Sequence, residues 1–276
     1  MSKLLLLTGN HPRHLYLAGL LANFHDVVGW VIEDRGEFLQ TTSKYSEDIS
    51  LNKLCSLHFK KRYLAEKRFF LDDSNIDIKA SNFYTNVSKN IIRCSKKDLN
   101  SLSISNFING ITADISITYG THILDNSILN LLPIEKYNIH GGISPWYKGC
   151  ITHFWPSYLL EPQMTGLTMH RLTAVLDGGP ILHQNTGILV RGDGLHELSC
   201  RTVKSFFSEL SEIINKISLR EYTLISQKSS GKLWLSSDWD PNHLKVIYNQ
   251  FEDKIVDYCL DNDISKVRKK IIRLIN

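Results

Sequence analysis

No apolar run in this 276-residue chain approaches the roughly 18 residues that a membrane-spanning helix needs. The opening segment, Met1 to Gly9, is too short for a secretory signal and lacks a cleavage site. Cysteine is scarce. The five that occur (Cys55, Cys94, Cys150, Cys200 and Cys259) are odd in number, scattered, and never spaced C-x-x-C. That argues against a disulfide framework and a structural zinc site, and for free thiols in a reducing, cytoplasmic compartment. Nor is there much charge of one sign: 32 Lys plus Arg against 28 Asp plus Glu leaves +4. This balance does not select nucleic acid as a partner, although it suits an anionic small molecule. Internal repeats and low-complexity segments are missing too. What is present is a globular composition, 42% apolar and 22% charged. A chain of this length buries roughly 70–75% of its unfolded surface without staples.

The pattern alternates strands and helices. Leu4–Leu7 is a short apolar run, Arg13 to Phe24 reads as a helix, and Val27–Ile32 is a second apolar run. This is the opening of a βαβ unit, and near-continuous apolar strands belong to parallel sheets. The segment from Gly36 to Asn90 is mixed, with a basic, helix-like stretch over 58–70 that reads as a solvated face. Regular signals return with Ile91, a helix near Leu99–Ile108, a strand over Asp114–Tyr119, a short helix near Ser127–Leu131 and a strand approaching Tyr137–His140. A glycine-bearing loop, 141–149, leads to a helix expected over Ile151–Leu160, then strands over Thr165–Leu172 and Ile181–Val190. Leu195–Ile217 is a long amphipathic helix. Beyond a polar break at 226–231 come a short strand near Lys232–Leu235, a helix start near Asp240 and a basic amphipathic tail over 266–273 that reads as a solvated helix face. The reading is an α/β fold with a mostly parallel, Rossmann-like sheet and helices on both faces. The expected division is a main domain over 1–195 and a small α+β extension over 196–276.

Reactive polar groups concentrate in Tyr137-Asn138-Ile139-His140-Gly141-Gly142-Ile143-Ser144-Pro145-Trp146-Tyr147-Lys148-Gly149. Asn138 and His140, two apart, share a strand face. They sit near a strand's C-terminal end, where open α/β sheets place ligands. An amide and an imidazole side by side can donate two hydrogen bonds to one developing oxyanion. The alternative is a tight turn with a satisfied histidine. A second cluster holds Gly166, Thr168 and His170 on one strand face, followed by Asp177-Gly178-Gly179-Pro180. A carboxylate at 177 could orient a histidine or hold it protonated; the alternative is an aspartate that only forms the turn.

Taken together, Asn138, His140 and Asp177, with Tyr119-Gly120, the Pro145-Trp146-Tyr147-Lys148-Gly149 loop and the Thr165-Gly166-Leu167-Thr168-Met169-His170 strand, resemble the 10-formyltetrahydrofolate-dependent formyltransferase family. The resemblance spans about 110–190 strongly and 1–35 loosely. It implies an enzyme that moves a formyl group from 10-formyltetrahydrofolate to a primary amine, with no metal and no covalent enzyme intermediate. Asn138 and a protonated His140 would stabilise the tetrahedral oxyanion, and Asp177 would hold His140 protonated and relay the amine's proton. The folate end would lie against Tyr119, Gly120, Leu124, Leu176, Gly178 and Gly179, with Thr168 and His170 behind the catalytic pair.

Two departures bear on the acceptor. The loop after the histidine is Gly141-Gly142-Ile143-Ser144-Pro145 instead of the common Pro-Ser-Leu-Leu-Pro, with Lys148 where the family usually has Arg. The first loop, Gly9-Asn10-His11-Pro12-Arg13, lacks the Gly-Ser pair that binds the phosphate of the purine-pathway substrate. The C-terminal segment is short for a tRNA formyltransferase. Elimination leaves the amine of a nucleotide-linked amino sugar for surface polysaccharide such as O-antigen. Asn10, His11, Arg13, Gly141, Gly142, Trp146, Lys148 and Trp234 are the candidate contacts. A homodimer is left open. The competing readings are a formyl-tetrahydrofolate hydrolase, which commonly carries a regulatory domain before the first strand, a formyltransferase for another amine, and a non-catalytic nucleic-acid binder using 58–70 and the tail. His140, His153, His170 and His183 match no metal-ligand spacing.

Overall fold

The computed structural model describes residues 1–36, 48–228, 231–266 and 269–275. Ser229 and Ser230 of the polar break, and Val267 and Arg268 of the basic tail, lie outside the described residues. Seven strands form one sheet in the order β3-β2-β1-β4-β5-β7-β8. They are β1 (Lys3–Gly9), β2 (Asp26–Glu33), β3 (Ile91–Cys94), β4 (Ile115–Tyr119), β5 (Glu135–His140), β7 (Gly166–Arg171) and β8 (Ile181–Thr186). The first five run parallel, and β7 and β8 add antiparallel. This is the mostly parallel sheet that the alternating pattern predicts. β1, with Leu4 to Leu7 all buried, is central because an apolar residue at every position suits only a strand covered on both faces.

The two faces are packed by different helices. Leu4, Leu6, Ile117, Tyr137 and Ile139 meet α1 (Pro12–Ala22) and the long α7 (Leu195–Leu219), whose Val203, Phe206, Leu210 and Ile214 are buried against them. Leu5, Leu7 and Val31 meet Ile104 and Ile108 of α4 (Leu102–Asn109) and Ile128 of α5 (Asn126–Leu129). α7, which opens the expected extension, is therefore packed in the main core. A third cluster joins Ile143, Phe154, Trp155 and Met164 to Leu244, Ile247, Ile255 and Cys259, so the C-terminal segment covers the loop after β5. A two-stranded ribbon of β6 (Tyr147–Gly149) and β9 (Lys232–Trp234) ties them. In the basic stretch, α2 runs Ile49–Lys67 and continues as one π-helical segment to Asp72.

Three local expectations differ. The helix expected over Ile151–Leu160 is only α6, Trp155–Tyr158. Ile151 and Leu160 are left-handed (φ 58° and 59°), and Pro156 supplies no N–H. The helix start at Asp240 yields one π-helical segment, Lys245–Gln250, before α8 (Ile255–Asp261). The tail over 269–275 is not helical; it lies along β8, with Gln184 N donating to the Ile272 carbonyl at 2.7 Å. Ile271 packs with the C-terminal cluster and Leu274 and Ile275 with the main core, so an extended segment joins the two. Among the described residues no helix is long and apolar enough to cross a membrane.

Candidate active site

Apolar positions of β5 and β7 (Tyr137, Ile139, Leu167, Met169) face α7, so alternation sends Asn138, His140, Thr168 and His170 to the other face. Cross-strand register pairs Asn138 with His170 and His140 with Thr168. Helices α4 and α5 cover β1 to β4 on that face, whereas β5 and β7 are covered by the 141–149 loop and the turn carrying Asp177. Polar groups can therefore collect there without facing an apolar helix.

The sequence-distant Asp177 arrives at both histidines. Its Oδ2 lies 3.4 Å from His140 Nδ1, and its Oδ1 lies 3.6 Å from His170 Nε2. Gly149 N donates to Asp177 Oδ2 at 2.8 Å. His140 Nε2 bonds the Tyr147 carbonyl at 2.7 Å. A carbonyl only accepts, so Nε2 carries the hydrogen. His170 likewise donates from Nδ1 to the Arg171 carbonyl at 2.9 Å, which leaves Nε2 to accept from Asn138 Nδ2 at 3.2 Å. Thr118 Oγ1 donates to Asn138 Oδ1 at 2.8 Å. The amide is thus held from both ends, and one Asn138 N–H is left to point at a ligand.

Burial pushes the His140 pKa below that of an ordinary histidine, against the Asp177 carboxylate and the Tyr147 carbonyl, which act to raise it. Burial acts to raise the Asp177 carboxyl, yet His140, His170 and the Gly149 N–H outweigh it and hold it down to about 2. The two partners pull toward different pictures of His140, charged from the aspartate's side and neutral from its own. The 3.4 Å separation is longer than the about 2.7–2.9 Å of a charge-assisted bond, which agrees with burial lowering His140. Both observations run against a resting imidazolium. Neutral His140 directs its Nδ1 lone pair toward a fixed carboxylate, and a proton arriving there is held by both. Its Nε2–H is committed to Tyr147, so Asn138 carries the unspent donor.

The remaining expected contacts are dispersed. Gly120, at φ 70°, packs beside His14, and its carbonyl accepts from Arg35 Nη1 at 2.9 Å. Leu124 and Tyr119 are buried; the Tyr119 ring abuts His14 and Phe207 in the main core. Leu176 is exposed beside the Asp177 turn, and Gly178 and Gly179 follow it, with Gln227 Nε2 donating to the carbonyls of Asp177 and Gly179. Gly142 sits directly against His140 and Tyr147, and Gly141 against His153. In the first loop, Asn10 bonds Asp34 and the Arg35 backbone, His11 bonds the Gly36 carbonyl, and Arg13 Nε donates to the buried Glu66 at 2.6 Å. Asn10 and Arg13 are thus engaged internally. Trp234 is covered on both faces, by Trp155 at 4.2 Å and by the Lys232 ammonium at 3.9 Å, which leaves no ring face for a base. Trp146 and Lys148 are half-buried on the loop over His140.

Sequence reasoning missed four supports. Thr118, Tyr147 and Gly149 act through a hydroxyl or backbone group, and Gln227 lies in a polar break with no motif around it. Glu33 was missed as well. It is fully buried at the end of β2, where it accepts from His122 N at 2.8 Å and pairs with the His122 ring, bracing the loop after β4.

No family model matches the chain. A bifunctional polymyxin resistance protein ArnA of Wigglesworthia glossinidia brevipalpis is 31% identical over 119 residues, 40% of this chain and 18% of its own. A methionyl-tRNA formyltransferase of Buchnera aphidicola is 27% identical over 182 residues, 65% of this chain and 53% of its own. The chain thus spans about a fifth and about half of these relatives. Among solved structures, a sugar N-formyltransferase from Shewanella superposes with TM-score 0.53 at 15% identity, covering 86% of this chain and 78% of its own. A phosphoribosylglycinamide formyltransferase from Anaplasma phagocytophilum gives 0.54 at 14% identity, covering 85% and 98%. The sugar 3N-formyltransferase WlaRD, solved in the presence of dTDP and 5-N-formyl-THF, gives 0.50 at 16% identity, covering 87% and 72%. The resemblance read from the motifs is thus met by these relatives, and the fold of this chain is that of the formyltransferases.

Proposed function

We propose that the chain is an N-formyltransferase acting between 10-formyltetrahydrofolate and the amine of a nucleotide-linked amino sugar. The observation that carries the reading is the convergence of Asp177, from a separate turn, on the Asn138 and His140 pair of β5 at one end of the sheet. Exposed Ile123 on the loop after β4, and Val175 and Leu176 just before Asp177, supply apolar surface of the kind a pterin ring needs.

The chemistry balances with these groups. The amine nitrogen attacks the formyl carbon, and the carbonyl oxygen becomes an oxyanion that accepts the remaining Asn138 N–H. The nitrogen's proton passes to His140 Nδ1, directly or through water, and Asp177 stabilises the imidazolium. Collapse breaks the carbon–N10 bond as that proton is delivered to N10, which frees tetrahydrofolate and the formamide.

A sugar acceptor is supported by the altered first loop and by the sugar enzymes among the structural relatives; purine and tRNA enzymes are relatives as well. Loop residues Trp146 and Lys148 are the contacts to probe for the nucleotide, since Trp234 is covered. Mass spectrometry of a panel of nucleotide-linked amino sugars, incubated with enzyme and 10-formyltetrahydrofolate, tests the reading. Calorimetry against dTDP, UDP and GDP completes it. Binding to none of them, with formylation of an amino acid amine, would move the acceptor to another class.

A further inference from the structure

Two hydrogen-bonded chains lead from the C-terminal tail to opposite sides of the loop that follows His140. In the first, Ile272 N donates to Gln184 Oε1 at 3.0 Å. The Gln184 amide donates to the Ser144 carbonyl at 2.6 Å and to Thr168 Oγ1 at 3.0 Å. Thr168 Oγ1 in turn donates to the Gly142 carbonyl at 2.6 Å and accepts from Ser144 N at 3.0 Å. Gln184, Thr168 and Ser144 are all buried, so each of these bonds replaces water that cannot enter. In the second chain, Lys269 Nζ donates to Glu161 Oε2 at 2.9 Å, and the Tyr147 hydroxyl donates to the same oxygen at 2.5 Å. The Tyr147 carbonyl is the group that holds His140 Nε2. The tail is itself pinned: Arg273 Nη2 donates to Glu209 at 3.0 Å, Leu274 N donates to His183 Nδ1 at 3.0 Å, and Ile275 is buried.

We infer that segment 269–275 is a strap that positions His140 by holding both sides of the 141–147 loop, with Gln184 and Glu161 as its positioning residues. The consequence for turnover rests on the functional reading above. The geometric part does not. Neither Gln184 nor Glu161 needs to touch a substrate, because a ring displaced by a fraction of an ångström already loses its alignment.

The test uses two changes confined to the tail. Ile272→Pro deletes the backbone donor to Gln184, and Lys269→Met deletes the donor to Glu161. Solvent exchange of the His140 Nε2 hydrogen, followed by nitrogen-15 NMR of labelled histidine, should quicken at least about tenfold in the double variant while β4 amides exchange as before. kcat should fall about tenfold with KM for both substrates within about twofold, and Lys269→Arg should keep wild-type values. Folded variants whose His140 exchange matches wild type would overturn the strap, as would exchange that quickens equally across β4, which marks a merely stabilising tail. If the wild-type protein transfers no formyl group, the functional reading falls, and the exchange measurement alone still decides the strap.

Discussion

In the proposed mechanism the site turns on Asn138, because its amide is fixed from both ends and has one hydrogen to give. Asn138→Ala should leave a folded protein whose turnover drops at least about a hundredfold, the loss of one oxyanion donor being worth about 2.7–4 kcal/mol. Steady-state kinetics beside a circular dichroism spectrum checks it, and near-normal turnover would remove Asn138 from the chemistry. Thr118→Val separates the amide from its holder. It keeps the shape of a buried side chain and frees Asn138 Oδ1, so kcat should fall about tenfold for a lost hydrogen bond of roughly 1 kcal/mol plus misorientation. A spacing argument finds Asn138 and His140 because they lie on one strand. Thr118 is invisible to it, being on a different strand and brought alongside only by the β4–β5 register.

Among the elements, the β6–β9 ribbon has the most leverage for its size. Gly149 sits at φ 91°, and a Cβ there would lie 2.2 Å from the Trp234 carbonyl. Its N–H also holds Asp177. Gly149→Ala should therefore push β9 away and loosen the aspartate together. We expect a stability loss of about 1–3 kcal/mol from strain and displacement, with a fall in kcat beyond what the unfolded fraction explains. Thermal melting and kinetics at a temperature where the variant is fully folded separate the two. A variant with lowered melting temperature and wild-type kcat would show that the ribbon is only scaffolding. From sequence, the glycine reads as part of a loop; that its neighbour is a strand from 83 residues onward, 232–234 against 147–149, follows from tertiary packing.

Across the whole molecule, burial acts on histidine. His11 is pushed down to about 4, His58 down to about 3, and His14, His25, His140, His153 and His196 are lowered, with burial the largest cause in each. A histidine with a depressed folded pKa is neutral in the native state and gains its proton first in the unfolded chain. Stability is therefore lost as pH falls below the ordinary value of 6.5, and the loss continues down to the folded values of about 4 and about 3. Asp177 adds to this lower down, where the unfolded carboxyl protonates from 3.8 and the native one only near 2. Each fully shifted group contributes about 1.4 kcal/mol per pH unit inside its window. Urea unfolding at pH 7.5, 6.0 and 5.0 should show little change above 6.5 and a fall steeper than a single proton explains below it. A flat profile between 6.0 and 5.0 would mean that these histidines are open to water.

The strands, their largely parallel arrangement and the pair Asn138 and His140 were determined locally. Apolar runs at every position, the two-residue spacing and the turn residues act over a few bonds and read the same in any context. The tertiary structure alone decided what those residues face. Which oxygen meets His140 Nδ1, and that the Tyr147 carbonyl takes the Nε2 hydrogen, depends on a loop closing over the sheet. The proton sits where burial and two fixed acceptors put it, and burial is a property of the packed molecule. The tail is the clearest case of divided authority. Its apolar residues, Ile271, Ile272, Leu274 and Ile275, have the spacing of a helix face, and only the open edge of β8, with Gln184 offering both a backbone and a side-chain partner, decided for an extended strap.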